Sequence, residues 1–230
     1  MKKDLPDVVE RKRFASPAPA PQALTFHRSF IWMGSRDLSR IYKLDPKTGA
    51  VLEEHASPGI PWAAVATGST IRFTMGEGAE DDRYIVEYKP GAEFSPNGSG
   101  RGADGLPARI ACPDLTGSYL SWDGQRLYLS QWYKGRILEL DKDGSIRREI
   151  TVGEEVSGHV FVNGSVYVLR GTEKAEGEKW CIAKFNLSDQ KPVVEELARV
   201  PFACRSLAFD GENFWSNHRA ANTIISFTVR

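Results

Sequence analysis

Residues 118–152 read SYLSWDGQRLYLSQWYKGRILELDKDGSIRREITV, and this run divides into four short strands. Tyr119-Leu120-Ser121-Trp122 stops at Asp123-Gly124, a pair that tolerates the positive φ of a tight hairpin turn. Arg126 to Gln131 is rich in aromatic and aliphatic strand formers. Arg136 to Asp141 sets Ile137, Leu138 and Leu140 among charges and ends near Asp143-Gly144, and Ser145 to Val152 is polar enough for an outer edge strand. Four antiparallel strands of this size make one meander, and one meander cannot bury both of its faces alone.

The chain answers that problem by repetition. Leu207-Ala208-Phe209-Asp210-Gly211 is followed by Asn213-Phe214-Trp215 and Thr223-Ile224-Ile225-Ser226-Phe227; Val160-Phe161-Val162-Asn163-Gly164 is followed by Val166-Tyr167-Val168-Leu169 and Cys181-Ile182-Ala183-Lys184-Phe185. Equivalent runs begin at Ala64 and at Leu24. Aligning Phe26, Ala66, Trp122, Val162 and Phe209 gives separations of 40, 56, 40 and 47 residues by subtraction. A period in the range of roughly 40–50 residues, with four strands per unit, predicts an all-β, five-bladed β-propeller of four-stranded antiparallel blades. The expected organisation is one propeller domain over 1–230, with blades at 21–55, 60–113, 117–152, 157–200 and 204–230.

The last repeat lacks a fourth strand. The segment 7–15, which includes Val8-Val9-Glu10-Arg11-Lys12-Arg13-Phe14, resembles the fourth strands Val51–His55, Ile146–Ile150 and Val193–Leu197. It is therefore expected to complete the last blade and close the ring, removing an open sheet edge.

Thirty basic and thirty acidic side chains cancel, so no global field favours nucleic acid or an anionic membrane. No apolar run approaches the roughly 20 residues needed to span a bilayer as a helix, and no apolar leader is visible at the amino terminus. Cys112, Cys181 and Cys204 are odd in number and lack CxxC spacing, which suits reduced, buried thiols in a cytoplasmic monomer. Without a leader, the glycosylation sequons at Asn97, Asn163 and Asn186 read as chance. Gly91 to Leu106 reads as a long mobile loop and Gly171 to Lys179 as a charged, extended turn. The chain carries no HExxH, Walker, GxSxG or EF-hand signature, and neither a metal nor another cofactor is expected.

Function in a propeller concentrates where the innermost strands and the loops between second and third strands share one channel mouth. Two columns fall just ahead of the turns: Gln22, Trp62, Ser118, Gly158 and Arg205, then Ala23, Ala63, Tyr119, His159 and Ser206. The loops add Arg36 and Asp37, Glu77, Gln131 with Trp132 and Tyr133, Arg170, and Asn217 with His218. Aromatic faces and guanidinium groups suit a small planar or carboxylate-bearing molecule, or a short peptide. The expected ligand contacts are Gln22, Trp62, Tyr119, Gln131, Trp132, Arg170, Arg205 and Asn217, with Glu77, His159 and His218 as candidate acid–base groups. Other readings stand beside these. Trp62 and Trp132 suit packing between blades, His159 a hydrogen-bonded channel position, and Arg205 an ion pair with Glu77 or Asp37.

The repeat, and above all the runs Gly34–Asp45 and Gln131–Ile137, resembles the propellers of the NHL, streptogramin lyase and glutaminyl cyclotransferase families, most of all the last. That resemblance implies an enzyme that cyclises amino-terminal glutamine with an acidic group and aromatic and amide groups at the channel mouth. It places the family's first-blade glutamate at Met33 and its Asn-Val-Trp run at Ser130-Gln131-Trp132, with Glu77 as the replacement acid. A cyclotransferase-like or lyase-like enzyme and a non-catalytic binding or interaction scaffold are the two functions the sequence supports.

Overall fold

A computed structural model of the protein describes residues 5–78, 82–92, 94, 100–174, 177–187 and 192–229. Its strands form five sheets of four, and four of those sheets run in chain order. The first holds β2 (Pro21–His27), β3 (Phe30–Ser35), β4 (Arg40–Leu44) and β5 (Val51–Ala56); the second holds β6 (Ile60–Thr67), β7 (Thr70–Gly76), β8 (Tyr84–Tyr88) and β9 (Arg109–Ala111). The third comprises β10 (Leu120–Trp122), β11 (Leu127–Gln131), β12 (Arg136–Leu140) and β13 (Ile146–Thr151). The fourth comprises β14 (Glu155–Val162), β15 (Ser165–Lys174), β16 (Gly177–Asn186) and β17 (Glu195–Val200). The fifth contains β18 (Cys204–Phe209), β19 (Phe214–His218), β20 (Thr223–Thr228) and, as its outer strand, β1 (Val9–Ala15). Each innermost strand packs on the next, from β2 through β6, β10, β14 and β18 and back to β2, so the sheets stand in a ring. This is the five-bladed propeller that the repeat predicts.

The hydrophobic core is divided among the gaps between blades. Trp32 and Ile41 of the first blade pack with Phe73, Val86 and Tyr88 of the second. Leu120, Leu129 and Leu138 meet Ile85 and Ile110, and Tyr128 and Ile137 meet Val166, Val168 and Phe185. Leu24, Met33 and Tyr42 meet Ala208, Trp215 and Ile224, which joins the first blade to the last. Each such large side chain removed from water contributes on the order of 1.5–3 kcal/mol, and no blade gains this without its neighbour.

The ring closes as the sequence predicts. β1 pairs antiparallel with β20 from Val9↔Thr228 to Ala15↔Thr223. Upstream, the Val8 amide donates to the Arg199 carbonyl (2.9 Å), and the Arg199 amide donates to that of Pro6 (2.8 Å), so the same segment also grips the fourth blade. Phe14 lies 5.9 Å from Trp215 and covers Gly49 of the first blade so tightly that a Cβ there would sit 2.8 Å from its ring. Positions 7–15 thus touch three blades, which a floppy tail would not do.

The 91–106 segment differs from the loose loop expected. Residues 93 and 95–99, including Asn97, lie outside the described residues, but the part that follows is pinned. Asp104 takes two hydrogen bonds from the fully buried Arg72 (2.7 and 2.6 Å), whose Nη1 also donates to the Pro107 carbonyl (2.7 Å). Leu106 is buried beside them. The lack of apolar periodicity concealed an ion pair that fixes the described part of the loop against β7.

Candidate functional site

A backbone irregularity aims side chains at the channel mouth. Pairing of the innermost strand slips between Pro21 and Ala23, between Pro61 and Ala63, between Val156 and Gly158, and between Arg205 and Ala208. In the third blade Ser118 and Tyr119 both lie against Ser130, with the Ser118 amide donating to the Ser130 carbonyl and the Ser130 amide to the Tyr119 carbonyl. A bulge of this kind bends a strand and redirects the extra residue. Here it turns Gln22, Trp62 and Arg205 to the mouth of the ring, and Ser118 and Tyr119 join them.

The bulges also correct the alignment. The first two strands of the fourth blade are joined by a two-residue turn, with Val162 opposite Ser165, whereas in the third blade Trp122 lies opposite Leu127 across four residues. Phe161, not Val162, is therefore the partner of Trp122 and Phe26. The mouth columns take Ser157 and Gly158, and His159 falls one residue deeper. The register explains the glycine: a Cβ on Gly158 would meet the Leu207 amide nitrogen at 2.6 Å, where β14 and β18 converge on the axis.

The rim comes from the loops between second and third strands. In the first, third and fifth blades this is the same four-residue turn, closed by a left-handed residue: Ser39 (φ 48), Gly135 (φ 56) or Asn222 (φ 50). Its first residue is Arg36, Trp132 or Arg219, and all three line the cavity. The second blade supplies Arg83, whose guanidinium lies 4.0 Å above the Trp62 ring. In the fourth blade residues 171–174 and 177–179 of the charged stretch belong to a long hairpin, β15 with β16, that brings Glu173 to the cavity and Glu178 to Arg205.

The resulting cavity has a volume of about 440 Å³. Its walls are Trp62, Tyr119, Trp132 and Tyr133, and among the described residues its charged lining consists of Arg36, Arg83, Lys134, Arg205 and Arg219 with one carboxylate, Glu173. Gln22 spans the floor, its Nε2 donating to Tyr119 Oη (3.0 Å) while its Oε1 accepts from Arg219 Nη1 (2.8 Å). Burial pushes the Tyr119 phenol up to about 12, more than the nearby Arg205 and the Gln22 hydrogen bond lower it. Arg205 is buried, lies 4.8 Å above the Trp132 ring and grips both oxygens of Glu178 at 2.7 and 2.8 Å. Its looser contact is Glu173, at 3.3 Å. Burial would raise the Glu178 carboxyl, but hydrogen bonds from Arg205 and Trp180 hold it below the usual range. Arg219 has no such partner among the described residues, and burial followed by the field of Arg205 lowers its pKa.

Of the residues singled out by sequence, Gln22, Trp62, Tyr119, Gln131, Trp132 and Arg205 line this cavity. The others lie elsewhere. Glu77 is exposed and pairs with Arg109 at 3.2 Å. Arg170 faces a second cavity of about 490 Å³, held by Glu154 and Glu196. Asn217 is buried, and its Nδ2 donates to the Gln22 and Ala23 carbonyls at 3.1 and 3.3 Å, tying the last blade to the first. His218 packs 5.6 Å from the Phe202 ring, and burial, then Arg13, lowers its pKa. His159 is buried in the channel, its Nε2 donating to the Tyr119 carbonyl (3.1 Å) and its Nδ1 accepting from Ser121 Oγ (2.6 Å). Burial drives its pKa down to about 4, against the pull of that carbonyl. Met33, where the family glutamate would stand, is wholly buried between blades. Arg83, Arg219, Lys134 and Glu173 line the cavity and were missed by sequence reasoning, as was Glu178, which lines the second cavity and pairs with Arg205. Aligning 35–40, 131–136 and 218–223 on their left-handed closing residues would have placed Arg219 beside Trp132.

Among the described residues no three His, Cys, Asp or Glu side chains are grouped to hold a metal ion, and no helix is long and apolar enough to cross a membrane. The three cysteines are free thiols, Cys112 and Cys204 buried and Cys181 half-buried.

No protein-family model matches the chain, and no curated protein matches it in sequence. Solved structures match its fold. Glutaminyl cyclase of Myxococcus xanthus superposes with a TM-score of 0.69 at 9% identity, covering 99% of this chain and 98% of that one. The calcium-binding protein regucalcin of Agrobacterium tumefaciens gives 0.59 at 12% identity, over 97% of this chain and 95% of that one. The PQQ-bound aldose sugar dehydrogenase of Streptomyces coelicolor gives 0.52 at 13% identity, over 96% and 97%. At these identities the likeness is one of fold.

Proposed function

We propose that the protein binds a small anionic molecule with a flat or apolar body in the channel-mouth cavity. One observation carries this reading: aromatic walls enclose a cavity lined by several cationic side chains, and while Arg36, Lys134 and Arg205 are paired with Asp37, Asp114 and Glu178, Arg219 meets no carboxylate among the described residues. Arginine over aromatic faces offers a carboxylate or phosphate directed hydrogen bonds, while the rings take the apolar body. The test is titration of the purified protein with benzoate, phenyl phosphate, benzamide and benzylamine, followed by calorimetry. Binding of the two anions, weakened by Trp62→Ala, is the expected result; equal binding of all four, or of none, overturns it.

A second reading rests on the end-to-end fold likeness to a glutaminyl cyclase and on Glu173 lying at the cavity with its side chain 42% exposed. In a cyclotransferase-like reaction the α-amine of an amino-terminal glutamine attacks its own side-chain carbonyl and ammonia leaves. A carboxylate at Glu173 takes the proton from the amine and passes it to the departing nitrogen. Glu77, His159 and His218 have no part in that scheme, because none lines the cavity. Ammonia release from glutaminyl peptides, lost in Glu173→Gln, would support this reading over simple binding. Continued silence with every peptide leaves the binder.

A further inference from the structure

Resting on the anion-binding reading, we infer that the Tyr119 hydroxyl and the Arg219 guanidinium form a seat for one acceptor oxygen of the ligand, oriented by Gln22. The Gln22 amide cannot be turned over. Arg219 Nη1 is a donor only and lies 2.8 Å from Oε1; the Trp62 carbonyl is an acceptor only and lies 3.4 Å from Nε2. Reversing the amide would oppose donor to donor and acceptor to acceptor. With Nε2 fixed on that side, its contact with Tyr119 Oη at 3.0 Å has one sense: Gln22 donates and the phenol accepts.

The consequence falls on the phenol proton. Tyr119 is only 2% exposed and lines the cavity, and its oxygen spends a lone pair on Gln22. Among the described residues nothing accepts its O–H, whereas the buried Tyr128 hydroxyl donates to Asp123 at 2.9 Å. A buried hydroxyl with an unspent proton is costly unless something meets it, and the space ahead of it is the cavity. Burial keeps the phenol protonated at neutral pH, so it remains a donor. Arg219 uses one nitrogen on Gln22 and meets no carboxylate among the described residues, leaving its other donors for the same oxygen. The seat thus fits carboxylates and other oxyanions and has nothing to offer an ammonium group.

The experiment measures benzoate and benzamide affinities by calorimetry for the wild-type protein, Tyr119→Phe and Gln22→Glu, with a melting curve to confirm that each variant folds. Tyr119→Phe removes one hydrogen bond to a charged oxygen and should weaken benzoate about ten- to hundredfold, with little change for benzamide. Gln22→Glu keeps the shape but reverses the relay: the carboxylate pairs with Arg219 and accepts the phenol proton, so benzoate binding should fall at least as far. Wild-type binding of benzoate that both variants retain unchanged overturns the seat and leaves the cavity reading standing. Failure of the wild-type protein to bind benzoate overturns both.

Discussion

Two buried arginines in this protein do different work. Arg72 in the second blade is wholly enclosed, with Asp104 only 2% exposed beside it and backbone carbonyls taking its remaining donors. Arg205 at the channel mouth has a bidentate partner in Glu178, but its other carboxylate, Glu173, is held at 3.3 Å from a side chain 42% exposed. Arg72 is a rivet: all three of its guanidinium nitrogens are engaged and it does not line the cavity. Arg205 is paired as fully, with two carboxylates, but one of them lies loosely beside open space, and a mobile anion can compete for what Glu173 holds. The contrast shows that burial of a cation alone does not make it available to a ligand; a loosely held, solvated partner beside a cavity is what distinguishes Arg205 from Arg72.

Replacing Arg72 by Met should be the costliest way to test this contrast. It strands Asp104 as an uncompensated buried charge, and chemical denaturation should register a loss of about 3–5 kcal/mol. The double replacement Arg72→Met with Asp104→Leu should restore most of that loss, and a double variant as weak as the single would contradict the rivet. His159 comes next. Its folded pKa lies near 4, below the ordinary value of about 6.5, so folding favours the neutral ring. The associated stability is complete above pH 6.5 and is lost as pH falls from there through 4, amounting to about 3 kcal/mol. Burial lowers His27 and His218 in the same direction, but His159→Gln should remove most of the slope between those limits, as read from melting temperature against pH.

Glu178→Gln should cost about 1–3 kcal/mol in denaturant, the usual range for a charged hydrogen bond lost from a part-buried site. It should also free Arg205 for an external anion. The smallest effect is expected at Glu173→Gln: under about 1 kcal/mol in stability, because the carboxylate is well solvated. The same change should tighten benzoate a few-fold in calorimetry. If it weakens benzoate instead, the distinction drawn between the two carboxylates of Arg205 fails.

The fold was legible in the sequence because each blade repeats its own punctuation. Asp123-Gly124, Asn163-Gly164 and Asp210-Gly211 mark the same hairpin, and an unpartnered third strand called for β1. The site was legible where the bulge column could be counted from those turns, which recovered Gln22, Trp62, Tyr119 and Arg205. Counting failed in the fourth blade, where Asn163-Gly164 sits one residue later in the hairpin than Asp123-Gly124 does in the third, and this moves His159 off the mouth. Glu173 and Glu178 were hidden for another reason: a charged run between strands looks the same whether it is a solvated turn or a hairpin arm reaching a partner. Only Arg205, about 30 residues further along, decides between them.

The fifth blade joins Val9–Ala15 to Thr223–Thr228, so its outer two strands are separated by nearly the whole length of chain. During synthesis the first four sheets can assemble in sequence behind the ribosome, but the ring cannot lock until residues 223–228 have emerged. Until then the early segment must wait, its Val9 and Phe14 without the strand they will cover. Arg219 and Asn217, which grip the first blade through Gln22, arrive in the same final stretch. The channel-mouth cavity and the sealed ring therefore come into being together, and a chain that stalls before this point has neither.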